Sequence, residues 1–484
     1  MKQSEIKINF KKLNKSKKER MILTSLLLII PLFLYVFYCA LTIVSERIDT
    51  VKKYIEGSDE SEIYDRYNPE QVAYHNFLKE TEKQNNKESF YCTVKVGAEV
   101  ERIKAISSST STYEARIQLF FYFDKEEFQN MFRKYASLVL WDSILNDYYN
   151  ECNEEELEIG RDETFDEFIN NSRFKEEHLL FYENWIVEND HRYYPGEAPS
   201  NVLVDNETMF EIGNGEFVPD SYGTIKSLEE INYQGKIICY QKVKFTAKFE
   251  KYFNSVRYPL DSVQFKMYIL PIMDSKYIRY IPNRDVNNLG EPVSGFSPYF
   301  GLTEGYRLLK ETNKIKNFTL RVHYYKYVGN EPTSSSNLNI KTELEIIVRA
   351  NRAGIQLFLQ AFINLFSVLI WISIAFYNQT FNKKNSMDML GTGLFGVISS
   401  MIVGLSLISD PGMFSLITMI NIFTLITILM MTYLSIAYQR AEIINDKDLM
   451  IYHHTKLRIM FYVLMISIVI MFIGLPLMSY MFGL

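Results

Sequence analysis

The sequence predicts a membrane α+β protein: an N-terminal transmembrane anchor, then an extracytoplasmic antiparallel β-sandwich, then a four-helix transmembrane bundle. Three observations predict it. One uncharged apolar run lies near the N-terminus, four more crowd the C-terminal end, and the long polar region between them carries apolar residues at every second position.

Composition sets the outer bounds. A chain of 484 residues with 47% apolar, 15% aromatic and 23% charged side chains is too long and too apolar for a disordered protein or a small disulfide scaffold. A net charge of -6 leaves no basic face to neutralise phosphates, which excludes a general nucleic-acid binder. The four cysteines have neither zinc-site nor CxxC spacing.

Residues 1–20 form a basic tail with Lys7, Lys11, Lys12, Lys15, Lys17, Lys18 and Arg20. The uncharged stretch 21–44 supplies roughly the 20 apolar residues that cross about 30 Å of hydrocarbon. A signal peptide shares this polarity, but its apolar region is shorter and ends at a small-residue cleavage site, which Tyr38-Cys39-Ala40-Leu41-Thr42 does not provide. At the other end, 351–484 holds helices at about 354–378, 387–409, 412–438 and 459–482. Lys383 and Lys384 follow the first of these, and Arg440, Lys447, Lys456 and Arg458 lie between the third and fourth. The 409–412 turn has no Lys or Arg. The positive-inside rule therefore predicts five spans, with the N-terminus cytoplasmic and the large region and C-terminus outside.

The outer region, 45–350, has two textures. From about 125 to 213 lies an acidic, helix-like insertion, marked by Asn153-Glu154-Glu155-Glu156-Leu157-Glu158 and Phe165-Asp166-Glu167-Phe168. A solvated helical face is the plain reading of it, and a cation-concentrating vestibule the sharper one. Around it, 116–123, 237–249, 263–269, 317–325 and 338–348 alternate with period two and read as strands. The segment 329–337 is turn chemistry at the tip of a long hairpin. Asn170, Asn206 and Asn317 open N-x-S/T sequons, which carry meaning only in a eukaryotic secretory pathway.

In this order along the chain, several motifs resemble the pentameric ligand-gated ion channels of the Cys-loop receptor superfamily. Tyr122-Phe123-Asp124 resembles that family's W-x-D, Phe217-Val218-Pro219-Asp220 its W-x-P-D, and Tyr233-Gln234-Gly235-Lys236-Ile237 its D-G-x-V turn. Tyr258-Pro259-Leu260-Asp261 is similar to the F-P-F-D of the signature loop, and Asp410-Pro411 to the short turn between the second and third bundle helices. The resemblance covers about 90–124, 214–349 and 354–482; the first anchor and most of 125–213 lie outside it. The two cysteines bracketing the signature loop would fall at Lys251 and Phe265, so no disulfide closes it, as in bacterial members; this favours a bacterial origin and a plasma-membrane location. The D-x-Q motif has an extra residue, and the first bundle helix lacks the family's proline.

The resemblance implies a homo-oligomer, a pentamer, in contact with membrane lipid and controlled by a small ligand or protein partner. Ligand would bind between subunits near Phe217, Tyr222, Tyr277, Tyr280, Tyr324, Tyr325 and Tyr327, whose aromatic faces suit a cation. Tyr258, Pro259, Leu260, Asp261 and Pro411 would form the coupling loops.

The second bundle helix bears a physical argument of its own. At about 100° per residue, Asp388, Thr392, Gly396, Ser399, Val403, Ser406 and Asp410 share a stripe that is polar or small almost throughout. Such a stripe belongs against protein or water, and several copies around an axis would line a cation-preferring tube with acidic rings at Asp388 and Asp410. Close helix packing uses the same small residues at Gly391, Gly393, Gly396, Ser399, Ser400 and Gly404, so a sealed bundle stays open as an alternative. No phosphate loop, nucleophile elbow, HExxH or other catalytic constellation appears, and no cofactor or metal motif. The competing reading is a non-conducting, membrane-anchored sensor or assembly protein on the same fold.

Overall fold

A computed structural model describes residues 15–58, 91–108, 110–151, 164–170, 175–197, 208–233, 235–283, 285, 294–303, 305–327, 339–352, 354–382, 387–406, 414–445 and 447–481. The first element of the described residues is helix α1, Lys15–Ser58. Strands β1 (Cys92–Ser107) and β2 (Thr112–Asp124) follow, and then helices α2 (Lys125–Val139), α3 (Trp141–Glu151), α4 (Phe165–Asn170) and α5 (Lys175–Asn189). Next come β3 (Phe210–Ile212), β4 (Gly215–Phe217), β5 (Gly223–Tyr233), β6 (Lys236–Glu250), β7 (Ser262–Pro271) and β8 (Ile278–Pro282). The strands end with β9 (Gly295–Leu302), β10 (Tyr306–Leu308), β11 (Phe318–Tyr327) and β12 (Asn339–Arg352). Helices α6 (Gly354–Asn382), α7 (Met387–Ser406), α8 (Leu416–Ile444) and α9 (Lys447–Val469) close the chain, with a π-helical segment Ile470–Gly474 leading into α10 (Leu475–Met481).

The described strands form two sheets. The first runs β4-β6-β2-β1-β8 with β5 on β6 and β9 on β1; the second runs β10-β12-β7-β3 with β11 on β12. Alternation in sequence becomes alternation in burial: along β6, Cys239, Val243, Phe245, Ala247 and Phe249 point into the core, while Lys242, Lys244 and Lys248 point away from it. Both sheets feed one core, in which Tyr113 stacks on Phe249 of its own sheet and meets Phe265 of the other at 4.9 Å. The expected strands are present. Sequence reading missed β1, whose partners settle one correction: β8 and β9 pair with it in parallel, so the sandwich is not wholly antiparallel. A second correction concerns the insertion, because Phe210–Ile212 lies inside 125–213 yet pairs with β7 as part of the second sheet.

The insertion is helical, as its texture predicts. Asp124 caps α2 by accepting from the Glu126 and Glu127 amides at 3.0 and 3.3 Å. Phe128, Met131, Phe132 and Ala136 then fall on one face and are buried, with Phe128 against Phe123 at the end of β2 and against Tyr194 of the insertion itself. His178 lies fully inside this cap, stacked on Phe168 at 4.0 Å with Nδ1 2.8 Å from the Phe168 carbonyl. The cap sits at the end of the sheets opposite the point where β12 enters α6. The Asn153–Glu158 run and the 329–337 tip lie outside the described residues.

Among the described residues four helices, Lys18–Ser58, Phe362–Asn382, Leu416–Ile444 and Asp448–Ser479, are long and apolar enough to cross a membrane, and Asp388–Ile402 is a shorter apolar helix. This points to a membrane location. The first helix also departs from its expected end at Val44: it continues helical to Ser58.

Candidate functional site

The site is built where sheets meet helices. Between β6 and β7 the loop 251–261 leaves the sandwich, and its Tyr258 packs into the apolar cluster of the helices, with Val256 and Leu260 against it. Pro259 is buried beside them. The Leu416 amide, at the start of α8, donates to the Val256 carbonyl at 2.7 Å, so loop and bundle share a backbone hydrogen bond. Asp261 is buried and pairs with Arg352 Nε at 2.9 Å; Arg352 is the last residue of β12 before α6. The Arg352 guanidinium also lies over the rings of Tyr258 (4.5 Å) and Tyr306 (5.2 Å). Burial pulls the Arg352 guanidinium down, but the Asp261 carboxylate together with Tyr306 and Tyr258 outweighs it and holds the group above its ordinary value. Tyr258, Pro259, Leu260 and Asp261 are thus brought together; Pro411 lies outside the described residues.

The loop is closed at its base without a disulfide. Lys251 Nζ donates to the Gln264 carbonyl across the loop, and Phe265 is fully buried against Tyr113. Among the described cysteines, Cys39, Cys92 and Cys239 are free and buried.

Helix α7 is the second part of the site, and its stripe divides. Asp388, Thr392 and Ser399 are exposed, with the Thr392 hydroxyl donating back to the Asp388 carbonyl at 2.9 Å. Leu390 and Val397 are fully buried on the opposite side. Gly396 is not on the open face: a Cβ there would lie 2.7 Å from Val368 Cγ2, so α7 uses it to approach α6. Gly393 does the same against Ile372, whereas Gly391 looks onto open space. Phe395, Ile398 and Ile402 share the exposed side with the hydroxyls. Val403 and Ser406 lie on the last turn of α7 and their side chains lie outside the described residues, as does Asp410.

The aromatic residues expected to meet a ligand mostly pack inward. Tyr280 is fully buried beside Phe121, Tyr222 donates its hydroxyl to the Gly196 carbonyl at 2.8 Å, and Tyr277 packs edge-on against Tyr135 of the helical cap. Tyr324 is buried, and the side chains of Tyr325 and Tyr327 lie outside the described residues. Phe217 lines a cleft of about 740 Å³ that it shares with Phe210, Val218, Pro219, Lys248 and Ile272. Phe217 also packs on Phe245 at 5.2 Å, so the cleft wall is the edge of the core.

Sequence reading missed one charged cluster. On the outward face of the second sheet, Glu345 is buried among Arg321, Lys266 (2.7 Å) and His323 (2.7 Å), with the Tyr268 hydroxyl at 3.2 Å. Burial raises the Glu345 carboxyl, but His323, Lys266 and Arg321 hold it well below the usual range. Burial, with the Glu345 charge nearby, pushes Glu343 up to about 7. The odd-numbered charges of Glu343-Leu344-Glu345-Ile346-Ile347-Val348-Arg349 were its signal. No group of three or more potential metal ligands occurs among the described residues. No protein-family model matches the chain, and no curated protein matches it.

Proposed function

We propose that the chain is one subunit of a ligand-gated, cation-preferring channel, assembled as a homo-pentamer in a bacterial plasma membrane. In this reading the N-terminus is cytoplasmic, the sandwich and C-terminus lie outside, and a small ligand or protein partner acts on the sandwich. The observation that carries the reading is the open face of α7, where Asp388, Thr392 and Ser399 stay exposed while Leu390 and Val397 pack inward. Carboxylate and hydroxyl groups on a membrane helix are costly in hydrocarbon, so this face belongs to water or to another subunit. Copies around an axis would line a tube and place Asp388 carboxylates in a cation-favouring ring. The loop 251–261, held to β12 by Asp261–Arg352 and to α8 by the Leu416 amide, supplies a path from sandwich to pore helix.

The test is planar-bilayer or oocyte recording of the full chain. Cation-dependent reversal potentials support the proposal, and reversal potentials that track chloride exclude the acidic-ring account. A second reading, a non-conducting anchored sensor or assembly protein, draws on Phe395, Ile398 and Ile402 on the same exposed side, since greasy residues meeting at an axis would seal it. Absence of single-channel current from assembled, purified protein favours that reading.

A further inference from the structure

Helix α1 is far longer than a membrane needs. Its 44 residues extend about 66 Å, against about 30 Å of hydrocarbon. One stripe of it stays in contact with the rest of the chain from Met21 to Ser58. Met21, Ser25, Leu32, Val36, Cys39 and Ile43 are buried, and the same spacing of three and four residues continues through Glu46, Thr50, Tyr54 and Ser58. Lower on this stripe, the Tyr35 hydroxyl donates to the Met419 carbonyl at 2.9 Å, and Thr24 meets Tyr452 and Lys456 at 3.1 Å each. These contacts tie α1 to α8 and α9.

At the level of the loop the stripe turns polar. Glu46 Oε2 lies 2.5 Å from Arg257 Nε, and Glu46 Oε1 accepts from Thr50 at 2.8 Å and from Asn254 at 3.2 Å. The Arg257 side chain is 4% exposed and that of Glu46 12%. Arg257 in turn holds the Ser262 hydroxyl at 2.9 Å, and its carbonyl accepts the Leu260 amide at 2.7 Å. At its upper end α1 meets the second sheet. The Lys316 amide donates to the Ser58 hydroxyl at 3.0 Å, and the Arg349 guanidinium lies 5.8 Å from the Tyr54 ring centre. A Cβ on Gly57 would sit 2.7 Å from Arg349 Nη2.

We propose that α1 is a strut joining the second sheet, the 251–261 loop and the helix bundle, with Glu46 as the positioning residue that fixes the loop through Arg257. A plain anchor would need only the apolar part of the stripe. The buried charge pair and the docked upper end make α1 a mechanical input to the junction where Asp261, Arg352 and the Leu416 amide meet. This inference stands on the fold and does not require conduction.

Hydrogen exchange on the full chain in lipid nanodiscs tests it. With Glu46→Gln, Arg257 loses the charge of its buried partner, and amides of 253–261 and Leu416 exchange at least about tenfold faster while those of β2 and β6 hold. Glu46→Arg combined with Arg257→Glu restores slower exchange. Gly57→Val, about three turns away, pushes Arg349 off the helix end and accelerates the same Leu416 amide. Exchange at Leu416 that ignores both single variants, or that rises equally in β2 and β6, overturns the proposal. Missing current would instead overturn conduction and leave this result standing.

Discussion

Three glycines of α7 separate packing from exposure, and replacing each with Ala measures the difference. Ala gains about 1 kcal/mol over Gly in a helix interior where nothing blocks its methyl group. Gly391 has nothing within 4 Å of its Cβ position, so Gly391→Ala is expected to be neutral or stabilising by up to about 1 kcal/mol. At Gly393 the methyl group would lie 2.5 Å from Ile372 Cγ1 and 2.7 Å from Cδ1, and Ile372 is itself fully buried. Forcing a methyl group into a filled contact costs about 1–3 kcal/mol, so Gly393→Ala is expected to end about 0–2 kcal/mol less stable. Gly396→Ala meets Val368 Cγ2 at 2.7 Å and behaves alike. Thermal unfolding of the purified protein in one detergent, followed by intrinsic fluorescence, ranks the three. Stabilisation at 393, or a loss at 391 larger than at 393, would refute the packing of α7 on α6 and with it the direction of the exposed face.

Two further outcomes follow from the charged groups. Asp261→Asn leaves Arg352 buried between Tyr258 and Tyr306 without its counter-charge, which is expected to destabilise by on the order of 3 kcal/mol, more than replacing both partners with apolar residues; calorimetry of the single and double variants decides. Glu343 is raised to about 7 from an unfolded value near 4.5, so the folded state holds the extra proton and stability falls as pH rises through that window, by roughly 2 kcal/mol given its partial burial. Glu345 is depressed, so its contribution is present above its unfolded value and is lost as pH drops below it. Glu343→Gln should flatten the melting profile between pH 5 and 8 without touching the acid limb, and an unchanged slope would contradict the assignment.

Strands with strict alternation were legible because one face of each is core. Lys242, Val243, Lys244 and Phe245 announce β6 in the sequence itself, whereas β3, β4 and β10, three residues each, are too short to show a period. The end of α1 was not legible, since charge at Glu46 and Arg47 signals the membrane edge but not the end of a helix. Its polar turns are held by Arg257, Asn254 and Arg349, residues distant in sequence. The glycines of α7 look identical in sequence, and only neighbouring side chains distinguish Gly391 from Gly393. Tyrosines proposed for a ligand were chosen by motif position, but a chain with 34 Tyr also fills its core with them, and Tyr280 and Tyr222 show how.

Cysteine accessibility along α7 tests the central claim most directly. On a cysteine-free background, assembled protein in lipid is treated with a charged, membrane-impermeant thiol reagent after substituting Thr392, Gly393, Gly396 or Ser399 by Cys. Rapid modification at 392 and 399 with protection at 393 and 396 is the result expected if the hydroxyl edge faces water. Protection at all four positions, or labelling at 392 and 399 only by a lipid-soluble reagent, would place that edge in hydrocarbon or in a dry contact and contradict the account.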